Sequence, residues 1–398
     1  MKQKYWLTGI IGAALVGAAF YGCGSEEADS PATTGSTDAT LTAAAETYAQ
    51  IVLASYEDSL ITAQTLDGAI GALTSNADEA TLSSAKNAWL AAREPYLQTE
   101  VYRFYDGPID NPDNGPEGLL NAWPMDEIYI DYVTDEPNAG IVNDPSQTID
   151  AATLESLNEE GGEANIATGY HAIEFLLWGQ DAGPDTAGQR PATDFVDGGT
   201  AANQDRRRLY LTTVSAMLVG HLSGLRDAWA DGAQNYRSEF LAADSREALR
   251  RILTGMIILS GFETGGERLQ TALDSGDQED EHSCFSDNTH RDMVQDVRGI
   301  QNVWLGTYVR TDGTTVSGTG IVDVVAEVNS TLANQVTTQI DTSLSAAEAL
   351  IPPFDQEIAA SNAEGRARVQ ALIDSLRAQE RLLEDVFQSF GLEIPVAE

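Results

Sequence analysis

Long runs of apolar residues at helical spacing dominate this chain, and they restrict it to packing helix against helix. Between positions 363 and 390, Leu372, Leu376, Leu383, Val386 and Phe387 fall on one stripe, the pattern of a helix with a single buried face. Tyr48, Val52, Tyr56, Leu66, Ile70 and Leu73 repeat that spacing over 41–73. Similar patterns predict helices over 80–105, 205–229, 245–275, 291–308 and 321–350. The stretches 111–163 and 180–203 carry much Gly, Pro and Asp, the run 277–290 is acidic and polar with two histidines, and all three read as connections. Arg310 opens a Gly/Thr turn region. No sustained period-two alternation competes with the helical one. The expected fold class is therefore all-α, with long antiparallel helices gathered into bundles.

Charge narrows the partners. A formal net charge of −40 over 398 residues excludes a nucleic-acid footprint, which needs a basic surface. It also disfavours adhesion of the folded surface to anionic lipid. Lysine is confined to Lys2, Lys4 and Lys86. Such a surface suits a saline habitat, where screening weakens self-repulsion.

The N-terminus reads as an export signal. Lys2 and Lys4 precede a short apolar run from Trp6 to Phe20, and Phe20-Tyr21-Gly22-Cys23 resembles a bacterial lipobox. Residues 1–22 are accordingly expected to be a lipoprotein signal peptide, with Cys23 lipidated after cleavage. Phe20 and Tyr21 depart from the usual leucine and small residue, so an ordinary secretory signal is the alternative. Residues 23–40 are rich in Ser, Thr, Asp and Ala and are expected to be a flexible tether. With Cys23 lipidated, Cys284 stands alone, and no disulfide framework is expected.

The stretch with most chemical content is Gly169-Tyr170-His171-Ala172-Ile173-Glu174, inside a helix expected over 165–178. His171 and Glu174 lie three apart, so they share one helix face, and an imidazole beside a carboxylate is half of a transition-metal site. The bland reading of the pair alone is a core histidine hydrogen-bonded to a nearby glutamate. A zinc peptidase would need a second histidine one turn away, and Phe175 occupies that place. His221, His282 and His290 would have to come from other segments, and His221 reads as a packing residue. No Gly-x-Ser-x-Gly elbow is present.

Gly169-x-His171-x-x-Glu174 matches the GxHxxE signature of the imelysin family, which takes in iron-regulated protein A lipoproteins and the periplasmic EfeO/EfeM iron-uptake components. The resemblance extends to Trp89-x-x-x-Arg93, Tyr102 to Asp110, Asn121 to Glu127, Gly188 to Pro191 and Gln278 to His290. It implies two helical-bundle halves packed together: an N-terminal bundle over 41–230 that carries the motif, and a C-terminal bundle over 231–398. It also implies an envelope-anchored protein, facing periplasm or cell exterior, that binds iron or an iron-bearing small ligand in acquisition, with a membrane uptake partner. The implied metal ligands are His171 and Glu174, completed by Glu100, which the expected helix places two turns from Arg93. Arg93 would orient a carboxylate or hold an anion. Asp287 with His290, and Glu263 with Glu267, are the further candidate neighbours. The family also carries a metallopeptidase label, so zinc-dependent peptidase activity is the alternative. A non-catalytic protein that docks a partner or peptide between its halves is a third reading.

Overall fold

The computed structural model describes residues 34–394. The expected signal peptide and Cys23 lie outside that range. Among the described residues, no helix is long and apolar enough to cross a membrane.

Eight long helices carry the fold: α1 (Thr34–Ser75), α2 (Glu79–Leu97), α3 (Gly169–Trp178), α4 (Gln204–Ala228), α5 (Ser245–Ile258), α6 (Thr289–Leu305), α7 (Ile321–Glu348) and α8 (Ala363–Ser389). They fit the all-α expectation because each buries the stripe seen in its sequence. Leu372, Leu376, Leu383, Val386 and Phe387 of α8, for example, are fully buried. Helix α8 packs against α7 and α5, and α6 against α7, which makes the C-terminal four-helix group. Helix α2 contacts both α3 and α6. It lies between the motif helix and the C-terminal helices, and the site forms along it.

The structure moves several expected boundaries. Helix α1 begins at Thr34, inside the stretch read as a tether, because Ala favours a helix while Thr, Ser and Asp lower helix propensity without forbidding it. Helix α2 stops at Leu97, just after Pro95, and Glu100–Tyr102 form a separate 3₁₀ turn. Glu100 is thus off the helix, and the two-turn argument that aligned it with Arg93 does not hold. The motif helix starts at Gly169 rather than 165. Tyr308 lies in a small antiparallel hairpin, β1 (Thr307–Val309) paired with β2 (Thr315–Ser317), where the sequence suggested the end of a helix and a turn. Three paired residues are too few to show alternation.

Helix α5 does not end at Ile258. It runs on as a π-helix over Leu259–Gln270 and closes as an α-turn over Thr271–Ser275. The wider winding of a π-helix re-aims side chains and often marks a functional stretch. Here it carries Glu263, Glu267 and Arg268. Beside it the Gln98–Arg103 turn is clasped from two sides. A Cβ on Gly255 would come within 2.2 Å of the Val101 carbonyl oxygen, and one on Gly299 within 2.5 Å of that of Gln98. Only glycine lets α5 and α6 close on this turn, and the closure buries Glu100.

Candidate functional site

Gly169 sets the motif helix. Its φ of +83° is open to glycine and costly for other residues, and an added Cβ would sit 2.5 Å from the Leu120 carbonyl oxygen. The helix therefore begins pressed onto the Leu119–Leu120 backbone, and the Thr168 hydroxyl donates to the Leu119 carbonyl at 3.1 Å. From the other side, the Trp89 indole N–H donates to the Tyr170 carbonyl at 2.9 Å. These contacts fix where His171 and Glu174 point.

Both motif side chains are buried. His171 Nδ1 lies 2.9 Å from Glu174 Oε2. The other oxygen, Oε1, accepts from the Ser286 backbone N–H at 2.9 Å and from its hydroxyl at 2.6 Å. Glu174 is therefore anchored to His171 and to the loop ahead of α6. Burial pushes its pKa up to about 8, against the pull of Ser286 and Arg93. Burial, with Arg93 adding to it, keeps His171 well below the usual imidazole range and so neutral. Its Nε2 is buried with no hydrogen-bond partner.

A second histidine meets the first. The rings of His171 and His282 lie edge to face with 4.9 Å between centroids. His282 Nδ1 lies 2.7 Å from Asp292 Oδ2. Asp292 also takes Arg93 Nη2 at 3.1 Å and the Ser283 hydroxyl at 2.5 Å. Burial acts to raise Asp292, but Arg93 and His282 outweigh it and hold the carboxyl far below its ordinary range. His282 is lowered to about 3, by burial first and then by the charge of Arg268. A charged Asp292 facing a neutral ring requires the proton on Nδ1, which leaves the Nε2 lone pair of His282 available. Carboxylate-anchored imidazoles of this kind are how proteins orient metal-binding histidines.

His282 lines a polar cavity of about 390 Å³, together with Glu117, Glu263, Glu267, Arg103 and Arg268. Behind it Arg268 spans Glu100 and Asp296 at 2.5 and 3.0 Å. Burial works against the charge on Glu100, yet Arg103 and Arg268 hold it down to about 2. Asp296 is pushed up by burial despite Arg268. The site thus combines neutral imidazoles with an excess of carboxylates, two of which resist ionisation.

The other candidates separate. Arg93 reaches Asp292 and, at 2.5 Å, Asn121. Glu100 is held by Arg103 and Arg268 rather than by the motif pair. Glu263 reaches Arg268 at 2.9 Å and shares the cavity wall with Glu267. His290 Nδ1 sits 3.2 Å from the Asp287 carbonyl oxygen at the start of α6. Asp287 joins a different cluster, with Asp181 and Asp355. Among the described residues that cluster is the one set of three metal-capable side chains whose donor atoms lie within 4.8 Å of one another, so the motif pair has no third side-chain donor that close. His282, Asp292, Ser286 and Arg268 were not among the sequence candidates. The sequence pointed to His282 only as one of three histidines another segment would have to supply and by its place in the Gln278-to-His290 block.

The sequence profile of the imelysin family matches residues 52–383. Iron-regulated protein A of Synechococcus elongatus is 24% identical over 344 residues, 83% of each chain. A crystal structure of an iron-regulated protein A precursor from Parabacteroides distasonis superposes with a TM-score of 0.70 at 20% identity, covering 90% of this chain and 98% of that one. An imelysin-like protein from Psychrobacter arcticum gives a TM-score of 0.64 at 12% identity, with the same coverage. Such likenesses speak for the fold, and the profile match over most of the length decides the family: the chain belongs to the imelysin family.

Proposed function

We propose that this protein binds iron, or a small ligand bearing it, as cargo in iron acquisition at the cell envelope. The observation that carries the reading is the pairing of His171 with His282, each Nδ1 on its own carboxylate and the Nε2 of His171 buried without a partner. Imidazole and carboxylate together suit first-row transition metals. His171 and His282 would supply nitrogen donors, and Glu174 and Asp292 would orient them. With no third side chain converging, a cavity group, water or the cargo's own chelating groups would complete the sphere. Iron-related names among the relatives support the choice of metal. The lipobox-like Cys23 supports a lipid anchor, which mass spectrometry of the mature N-terminus tests.

Metal content of untagged protein, measured beside a His171→Ala, Glu174→Ala double variant and a His282→Ala variant, tests the site. Stoichiometric iron in the parent and none in either folded variant is expected. Equal iron in all three would sink the assignment. A second reading, a zinc peptidase, draws on one observation: the ring of His282 packs against that of His171, and it would be the source of the histidine absent from the motif. Zinc in place of iron, with chelator-sensitive cleavage of an unstructured polypeptide, would favour it.

A further inference from the structure

Three carboxylates from distant segments meet outside the histidine site. Asp181 follows α3, Asp287 lies in the loop before α6, and Asp355 belongs to the short helix Phe354–Ile358. One donor oxygen from each lies within 4.8 Å of those of the other two. Asp181 and Asp355 are each only 4% exposed. Both oxygens of Asp355, Oδ2 of Asp181 and Oδ1 of Asp287 are buried without a hydrogen-bond partner, as are both oxygens of the fully buried Glu281. Asp181 Oδ1 accepts from the Gly183 N–H at 3.1 Å.

The charged neighbours that act on Asp181, Glu281 and Asp287 are themselves carboxylates. Burial and Asp355 raise Asp181 to about 6 and Asp287 to about 7, and they push Glu281 well above its usual range, with the Thr289 hydroxyl acting the other way. Carboxylates do not gather in a buried place without compensation, because each unpaired charge is costly to bury. Protons or a cation must supply it. The donors are all oxygen, which selects a hard ion over a transition metal. Calcium accepts irregular sets of carboxylate oxygens, whereas magnesium demands near-ideal octahedral geometry and keeps most of its waters.

We propose that Asp181, Asp287 and Asp355, with Glu281 beside Asp355, form a binding site for a calcium-class divalent cation. The ion would join three segments that share no helix. One of them also carries His282 and Ser286, and Asp287, with φ +56°, directly follows the residue that donates to Glu174. Loading would thus hold the loop that places the second histidine and anchors the first. This site does not depend on the iron reading.

Chelator-treated full-length protein, titrated with CaCl₂ alone by calorimetry and melted with and without about 5 mM CaCl₂, tests the proposal. One saturable site is expected, with a rise in Tm of about 3 °C or more. An Asp181→Asn, Asp287→Asn variant should lose both responses and, relieved of repulsion, melt above the calcium-free parent. If that pair fails to fold, Asp287→Asn alone serves, since Asp287 is the least buried of the three. His171→Ala, Glu174→Ala should keep the calcium response, which separates this test from that of the iron site. No saturable calcium uptake by the parent would overturn the proposal. So would a parent stabilised only by acidification, because protons would then hold the cluster.

Discussion

Ser286 donates both its backbone N–H and its hydroxyl to one oxygen of Glu174, while the other oxygen faces His171. A loop from the C-terminal half thus fixes the orientation of the motif histidine. That loop also carries His282, which Asp292 holds and which meets His171 ring to ring.

His282 is therefore expected to matter as much as the motif residues. His282→Ala should reduce iron affinity by at least the 10- to 100-fold typical of losing an orienting partner, with helical content unchanged. Competition with a calibrated chelator, alongside circular dichroism, measures both. An affinity equal to the parent's would remove His282 from the site.

Metal binding should release protons. Both Ser286 donors occupy Glu174 Oε1, so a proton on the glutamate sits on Oε2, facing Nδ1, and the ring must then carry its own proton on Nε2. Freeing Nε2 for a metal requires that one proton leave the pair. With Glu174 near 8, apparent affinity should climb about tenfold per pH unit up to roughly that pH. Glu174→Gln should flatten the slope, as read by titrations between pH 6 and 9.

The same group sets a stability trend in the metal-free protein. Its folded pKa lies above its unfolded value, so the folded state holds a proton that the unfolded state gives up. The contribution is complete below the ordinary glutamate range and is lost as pH rises through about 8. Glu100, lowered to about 2, acts oppositely: its contribution is present above the ordinary range and is lost on acidification toward 2. Melting curves from pH 5 to 9 should show Glu174→Gln losing less Tm than the parent.

Gly169→Ala should destabilise the protein by about 2 kcal/mol or more, since the methyl would meet the Leu120 carbonyl at a positive φ. Chemical denaturation gives the value. A neutral outcome would mean that the Leu119–Leu120 segment yields and does not fix the helix start.

Asp131 binds Arg207 through both oxygens, at 2.6 and 2.8 Å, and Arg190 at 2.9 Å, all buried. Asp131→Ala would leave two buried guanidiniums short of a partner, costing about 3–5 kcal/mol. The loss should appear in denaturation midpoints. Arg208→Ala, at the exposed pair with Asp197, should cost less than about 1 kcal/mol.

Sequence alone determined what depends on near neighbours. Apolar spacing marked every long helix, since a buried stripe is written in one continuous segment, and His171 and Glu174 could be placed on one helix face. Glu100 shows where such reasoning stops. Pro95 and the approach of Gly255 and Gly299 end its helix and turn its carboxylate to Arg268, a partner no local pattern indicates. The π-winding over Leu259–Gln270, the junction of His171 with His282 and the gathering of Asp181, Asp287 and Asp355 were likewise decided only by tertiary structure. Each depends on which surfaces the helices bury against one another, and periodicity along a single segment does not encode that choice.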